Sequence, residues 1–160
     1  MAYIHRMRLT RNFRIWEFRC HDKSVTQVPE PLFPNVRRLA RNLQVLHYAA
    51  AAIYGRDVKI SIRSGYRTPE HNDKTPGAAD KSYHQEALAA DFNLFLKVDA
   101  KTWEELPPTE VRSLILELIR EGTMEEGGIG IYDWGLHYDC RGTRARWDGR
   151  PRRKGPKRGK

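Results

Sequence analysis

The spacing of apolar residues in the first half of the chain constrains the fold most strongly, because it changes from a helical to a strand period within a short segment. Apolar residues recur at every third or fourth position from Val36 to Ile53, which predicts a helix capped by Asn35 and ended by Gly55. Residues 58–62 then alternate apolar and polar side chains, as a half-buried strand does. The chain therefore needs a fold in which a long amphipathic helix packs on a sheet.

The second half of the chain adds further strands and one more helix. Alternation over residues 87–95 predicts a second strand. A helix is expected to begin at a Thr109 cap and to end at Gly122, and short strands are expected near 128–132 and 136–140. Because the element types do not alternate as βαβ units, we predict an α+β fold in which helices pack against a small, mostly antiparallel sheet in a single domain.

Composition excludes several protein classes. The chain has 160 residues, of which 39% are hydrophobic and 31% are charged, so we expect one globular domain and no membrane-embedded protein. Residues 1–18 mix arginines among the apolar positions and contain no secretory h-region. We therefore expect synthesis in the cytoplasm without a signal peptide. No glycine-rich phosphate-binding loop occurs in the sequence, which argues against a nucleotide enzyme.

The net charge of +9 comes from the C-terminal end of the chain. From Arg141 onward there are ten Lys or Arg residues and one acid, whereas the preceding residues carry 19 charges of each sign. The last residues combine Lys and Arg with Gly and Pro, a composition that cannot bury enough apolar surface to order itself. We therefore expect a folded domain over 1–148 and a disordered basic tail over 149–160.

Two histidines and one carboxylate are candidate metal ligands. His84 ends a long loop over residues 64–83, Asp91 lies on the predicted second strand, and His137 lies on a later strand. Two imidazoles and a carboxylate leave the fourth tetrahedral position of zinc open for water, as catalytic sites require. Cys140 should point to the opposite strand face from His137, and both Cys20 and Cys140 are expected to be free thiols.

Several short motifs occur in the order found in a known enzyme family. These motifs are Ser64-Gly65-Tyr66-Arg67-Thr68, Gly77-Ala78-Ala79, Ser82-x-His84 with Asp91, Gly128-Ile129-Gly130-Ile131-Tyr132, and His137-x-Asp139-x-Arg141 followed by Arg144-Ala145-Arg146-Trp147. With them, the chain resembles the zinc D-Ala-D-Ala carboxypeptidase family of peptidoglycan peptidases, and most nearly its small phage and bacterial members, over about residues 13–147. The resemblance implies a hedgehog/DD-peptidase-like fold and a zinc cofactor.

The resemblance implies roles for individual residues. It makes His84, Asp91 and His137 the zinc ligands, with Ala87 in place of a family glycine. Arg67 matches an arginine that faces the substrate carboxylate or the scissile carbonyl oxygen, and its planar charged group suits both tasks. The expected substrate-binding residues are Ser64, Tyr66, His71 and Ser82.

The general base does not follow from the resemblance. Family members use an acid three residues before the last ligand or a histidine five residues before it, and this chain has Trp134 and Tyr132 at those places. Asp139 either takes a proton from zinc-bound water or orients His137. Tyr132 is expected to donate a hydrogen bond to the oxyanion, and Asp133 is a further candidate base.

These features predict a monomeric zinc peptidase that hydrolyses peptidoglycan stem peptides, either trimming a terminal D-amino acid or opening a cross-link. It would reach the cell wall after release from a cell, as in phage lysis, or as part of a virion. The alternative is a catalytically weak zinc-containing module that binds cell walls. We expect the basic tail to concentrate the protein on an anionic wall polymer and do not expect nucleic-acid binding, since no base-reading element accompanies the tail.

Overall fold

A mixed arrangement of helices and strands builds the part of the protein that the computed structural model describes, residues 6–151. The main elements are α1 (Phe33–Tyr54), β1 (Val58–Ser64), α2 (Pro69–Asp73), β2 (Ala89–Lys97), β3 (Trp103–Glu105), α3 (Pro108–Arg120), β4 (Gly128–Tyr132), β5 (Gly135–Asp139) and β6 (Ala145–Asp148). Short 3-10 turns occur at Ile15–Phe18, Glu30–Leu32 and Tyr83–Glu86.

All of the strands belong to one six-stranded sheet. Its order is β1-β2-β5-β4-β6, with β3 also paired to β2. Only the β4–β6 pair among these strands is parallel. The predicted α+β fold with a mostly antiparallel sheet in a single domain is therefore confirmed.

Both long helices are confirmed, but their predicted N-caps are wrong. Helix α1 begins at Phe33, two residues before Asn35, because Pro34 lies in its first turn and proline favours that place. The side chain of Asn35 instead donates a hydrogen bond to the Glu86 carbonyl. Gly55 ends the helix as predicted, with a left-handed φ of 61°.

Helix α3 shows the same effect of proline. It begins at Pro108, so the predicted cap Thr109 lies within its first turn. Strand β2 begins at Ala89 rather than at Ala87, because Ala87 has a φ of 53° that ends the preceding turn. Strands β3 and β6 were not predicted; β3 is exposed at every position and so shows no alternation.

The two faces of the sheet differ in what covers them. On one face, apolar side chains of the strands join those of α1 and α3 in the core, and we call this the helix-packed face; its strand residues include Ile60, Phe92, Leu94, Leu136 and Tyr138. The alternating positions lie on the opposite face, which we call the open face. It carries the exposed side chains of Lys59, Ser61 and Arg63 together with Asp91 and His137.

Both cysteines are buried and unpaired. The Cys140 thiol lies 3.6 Å from the Asn42 amide of α1, on the helix-packed face and away from His137 as expected. Within residues 6–151, none of the helices has the length and apolar character needed to cross a bilayer. Of the tail predicted over 149–160, only Gly149, Arg150 and Pro151 fall in the described part, and residues 152–160 lie outside it.

Candidate metal centre

Three segments bring the candidate ligands together on the open face. Asp91 of β2 and His137 of β5 are directly paired across the two strands, so their side chains project side by side. His84 comes from the turn Tyr83–Glu86, where the Ser82 hydroxyl accepts a hydrogen bond from the His84 amide. All three residues are largely buried, with at most 9% of their surface exposed.

The ligand atoms converge on a volume that suits a metal ion. Asp91 Oδ1 lies 2.9 Å from His137 Nδ1 and 3.3 Å from His84 Nε2. One ligand atom from each residue lies within 4.8 Å of the others. Ligand atoms around a tetrahedral zinc ion are about 3.4 Å apart, given zinc–ligand distances of roughly 2.0–2.2 Å. His84, Asp91 and His137 therefore form a group that can hold zinc.

The opposite ring nitrogens of the histidines are already engaged. His84 Nδ1 donates to the Gly65 carbonyl at 2.6 Å, and His137 Nε2 donates to Asp139 Oδ2 at 2.8 Å. A carbonyl can only accept, and an ionised carboxylate also accepts, so each contact fixes the proton on that nitrogen. With a metal bound, His84 Nε2 and His137 Nδ1 would therefore present the lone pairs that ligate it, whereas without a metal a proton on either nitrogen is shared with Asp91.

Asp139 lies behind His137 in a closed set of contacts. Its side chain is fully buried, and the Arg141 guanidinium donates to both carboxylate oxygens at 2.8 Å. The Gly128 amide donates to Oδ1 at 3.1 Å. Burial tends to raise the pKa of Asp139, but the hydrogen bonds from Arg141 and His137 outweigh it and lower the pKa well below its usual range. Asp139 is therefore a carboxylate at neutral pH.

The pKa values of the three candidate ligands reflect the same surroundings. Burial lowers the pKa of His84. Burial acts in the same direction on His137, but hydrogen bonds to Asp139 and Asp91 outweigh it and raise the pKa. The pKa of Asp91 is lowered because its hydrogen bonds to His137 and His84 exceed the effect of burial. Asp91 is therefore ionised and can act as a carboxylate ligand.

Arg67 lies next to the candidate ligands. Its Nη2 donates to Asp91 Oδ2 at 2.8 Å, and its Nε donates to the Ser64 hydroxyl at 3.0 Å. The Arg67 amide also donates to the His84 carbonyl at 3.0 Å, which ties the loop to the turn that carries this histidine. Arg67 is therefore held at the metal centre from three sides.

A cleft of about 670 Å³ opens above these groups. The predicted long loop forms one wall with residues 75–79 and 81–83, and aromatic side chains form another. Arg67, the three candidate ligands and Arg141 line the floor and sides. The long loop predicted over residues 64–83 therefore lines the cleft beside the metal centre.

Three aromatic residues form the second wall of the cleft. Tyr132 stacks on Trp134 with ring centroids 4.7 Å apart, and Trp147 Nε1 donates to the Tyr132 hydroxyl at 2.8 Å. Trp147 lies over Gly130, where an added Cβ would come within 2.3 Å of the indole nitrogen. Glycine at that position therefore allows Trp147 to reach the cleft, with its ring centroid 5.1 Å from that of His137.

Some predicted site residues do not line the cleft. Ser64 lies behind Arg67, and the Tyr66 side chain is buried. His71 lies on α2, where its amide donates to the Thr68 hydroxyl. Asp133 is exposed in the turn between β4 and β5 and is absent from the cleft lining. Of the four expected substrate-binding residues, Ser82 alone lines the described cleft.

Sequence reasoning assigned no role to Arg141, Tyr83 or Trp147. Arg141 clamps Asp139 while its guanidinium carbon lies 4.5 Å from the Tyr83 ring centroid and 5.7 Å from that of Trp147. The alternate spacing of His137, Asp139 and Arg141 could have indicated the contact between Arg141 and Asp139, because alternate residues of a strand share one face.

A model of a protein family described as Peptidase M15 matches residues 11–111, more than half of the chain. The chain belongs to the peptidase M15 family. No curated protein and no solved structure matches it in such comparisons. The matched segment contains His84 and Asp91, whereas His137 lies beyond it and joins them through the pairing of β5 with β2.

Membership of the M15 family identifies the cofactor of the metal centre. M15 peptidases are zinc enzymes whose substrates are related to peptidoglycan, so this M15 peptidase is a zinc metallopeptidase. Its candidate ligand set of two imidazoles and one carboxylate fits zinc with one position left open.

Proposed function

We propose that this M15 peptidase hydrolyses a peptide bond in the stem peptides of peptidoglycan, as a D-Ala-D-Ala carboxypeptidase or as an endopeptidase. The observation that carries the proposal is the convergence of His84, Asp91 and His137 at the base of a cleft of about 670 Å³. A three-ligand site that opens to a cleft is the arrangement of catalytic zinc, whereas structural zinc is enclosed by four ligands.

In this mechanism His84, Asp91 and His137 would hold the zinc ion, which when bound would supply an activated water and polarise the scissile carbonyl. The Gly65 carbonyl and Asp139 keep each imidazole in the tautomer that presents its free nitrogen to the centre. Both rings are thus oriented before a substrate arrives.

Asp139 acts as a positioning residue in this proposal, and not as the general base. Its oxygens already accept hydrogen bonds from Arg141, Gly128 and His137, and it contacts the His137 nitrogen opposite the one that faces Asp91. A base needs a free acceptor within reach of the attacking water. The clamped carboxylate instead holds the His137 ring and stabilises its Nε2 proton.

Tyr132 and Arg67 are the proposed catalytic residues. The Tyr132 hydroxyl accepts a hydrogen bond from Trp147, so its own proton is available for the oxyanion that forms during hydrolysis. Arg67 engages Ser64 and Asp91 through two of its nitrogens, while Nη1 has no acceptor within residues 6–151. That nitrogen can bind the substrate carboxylate or the carbonyl oxygen. Ser82, at the cleft wall, is the proposed substrate contact.

The basic tail begins beside the cleft. The Gly149 amide donates to the Ile131 carbonyl at 2.8 Å, and Gly149 lies against the Tyr132 ring. We propose that residues 1–148 form the peptidase domain and that residues 149–160 form a basic tail. The tail attracts an anionic wall polymer toward the cleft. We further propose that the enzyme is a monomer and that it acts in lysis or virion entry. Removing residues after Arg150 should weaken wall binding at low salt but spare hydrolysis of a small peptide; equal losses would contradict this role.

Hydrolysis of purified sacculi tests the proposed function. The zinc-loaded protein should release D-alanine or open cross-links, a chelator should stop the reaction, and added zinc should restore it. Free D-alanine among the products would indicate a carboxypeptidase, whereas loss of cross-linked fragments would indicate an endopeptidase. A protein that binds zinc and sediments with sacculi without releasing any product would instead be a wall-binding module.

A further inference from the structure

The open face of the sheet continues beyond the metal centre along β1, β2 and β3. The strand register pairs Lys59 with Phe95 and Ser61 with Asn93, so these side chains extend the surface that carries Asp91. We call this surface the lateral strip, and its residues are Lys59, Ser61 and Arg63 of β1, Asn93 and Phe95 of β2, and Trp103 of β3.

Two cations on the lateral strip lie against aromatic rings without a carboxylate partner. Lys59 Nζ is 5.0 Å from the Phe95 ring centroid and 5.2 Å from that of Trp103. The Arg63 guanidinium carbon is 5.2 Å from the Trp134 ring centroid. Neither Lys59 nor Arg63 takes part in an ion pair within residues 6–151. The rings orient both cations while leaving their charge unneutralised.

Nearby charges on the same part of the sheet are paired, which sets these two cations apart. Lys97 contacts Asp57 at 3.1 Å, and Arg56 contacts Glu104 at 3.4 Å. The acid that borders the strip, Glu105, accepts a hydrogen bond from the Asn93 amide. The strip therefore offers a ligand two cations that lie outside any ion pair of the described residues, and Arg63 is held in place by the Asn93 and Trp134 oxygens.

The lateral strip is continuous with the cleft. Arg63 lies over Trp134, and Trp134 lines the cleft wall. Lys59 and Arg63 are four positions apart on one strand face, a separation of roughly 13 Å at about 3.3 Å per residue. A peptide of about four residues in extended form spans the same distance. A peptide chain that extends past this segment into the cleft can therefore contact both cations.

We propose that the lateral strip binds a carboxylate-bearing peptide chain of the substrate, on one side of the bond that is cleaved. The inference rests on the peptidoglycan-directed function proposed above. Carboxylates complement the two unpaired cations, and each aromatic ring of the strip already has a cation against it. The strip thus favours an acidic peptide over a sugar chain, which would need free ring faces for stacking.

Binding to sacculi with native or chemically amidated carboxyl groups tests the proposal. Sacculi are first stripped of phosphodiester polymers and then sedimented with the full-length zinc-loaded protein at low salt. The variants are Lys59→Gln with Arg63→Gln, and the control Lys23→Gln, which removes an exposed lysine outside the sheet. The double variant should bind native sacculi about twofold to 30-fold more weakly than the wild type, which is the range expected for the loss of two exposed ion pairs.

Amidation should weaken the wild type and the Lys23→Gln control, and should remove most of the difference between the double variant and the wild type. Equal binding of the double variant and the wild type to native sacculi would overturn the proposal, as would an equal loss on amidated sacculi. A difference seen only on sacculi that retain phosphodiester polymers would assign the strip to that polymer instead. Products released in the same samples report hydrolysis separately, so a failure of the proposed function is distinguishable.

Discussion

The helix-packed face and the open face of the sheet are made by alternate residues of the same strands, yet they serve different purposes. Ile60, Phe92 and Leu94 point toward the helices and form the core. Asp91 and His137, one position away from core residues, point to the cleft and form the metal centre. The comparison shows that residues that stabilise the core and residues that form the metal centre are direct neighbours along the same strands.

The open face buries polar groups that the helix-packed face does not need. Asp91, Asn93, His137 and Asp139 are each at least nine-tenths buried, and each has hydrogen-bond partners in the structure. Such groups are costly to bury without partners. Hydrogen bonds therefore hold the polar side chains of the open face in place, whereas apolar packing stabilises the helix-packed face.

Neighbouring substitutions on β1 should separate the two faces most clearly. Ile60→Ala removes a buried side chain from the core and should lower the free energy of unfolding by about 2–5 kcal/mol. Ser61→Ala changes an exposed residue on the open face and should change it by less than about 0.5 kcal/mol. Urea titration followed by circular dichroism measures both. Equal changes in the free energy of unfolding would contradict the distinction between the two faces.

Tyr132→Phe should affect catalysis and leave the core intact. Removing an oxyanion donor typically lowers kcat by about 10²–10³-fold. The midpoint of urea unfolding should stay near that of the wild type, since Tyr132 is only partly buried. Kinetics on soluble peptidoglycan fragments give the result, with Tyr48→Phe on the exposed side of α1 as the matched control. An unchanged kcat would remove Tyr132 from the mechanism.

Arg141→Gln should weaken zinc binding without removing a ligand. Loss of the clamp frees Asp139 and loosens its hold on His137, and such outer contacts typically contribute about tenfold to 100-fold in metal affinity. Competition with a chromogenic chelator measures this affinity. Arg144→Gln, an exposed arginine nearby, is the control and should bind zinc like the wild type. If both variants bind equally well, Asp139 does not depend on Arg141.

Ser64→Ala should have a smaller effect than the changes at Ile60, Tyr132 and Arg141. The Ser64 hydroxyl accepts a hydrogen bond from Arg67, and a bond of this kind contributes about 0.5–1.5 kcal/mol. We therefore expect kcat/KM to fall about twofold to tenfold, with zinc content unchanged. Ser24→Ala, at an exposed turn, provides the comparison. A loss of zinc in Ser64→Ala would mean that Ser64 supports the ligands as well as Arg67.

Local patterns predicted those parts of the protein that depend on neighbouring residues. Strand β1 and the face of Asp91 followed from alternation, and the end of α1 followed from Gly55. The helix starts were misplaced because Asn35 and Thr109 satisfy the capping pattern, but prolines just before them begin each helix earlier. Capping preferences and proline preferences compete, and the sequence alone does not rank them.

Contacts between distant segments could not be predicted in the same way. The candidate ligands were named from their residue types and the family resemblance, but their convergence depends on the register between β2 and β5. The clamp of Arg141 on Asp139 and the lateral strip depend on three-dimensional neighbours that no local period reports. His71 was expected in the cleft from its place in the loop, whereas the short helix α2 places it outside the cleft lining.

Metal analysis of the purified protein tests the central claim most directly. Elemental analysis should find about one zinc ion per chain in the wild type and in the control His71→Ala, whose histidine lies outside the cleft lining. His84→Ala and His137→Ala should lose the ion while circular dichroism shows the fold retained. Zinc bound at the wild-type level in both of these variants would contradict the proposed metal centre.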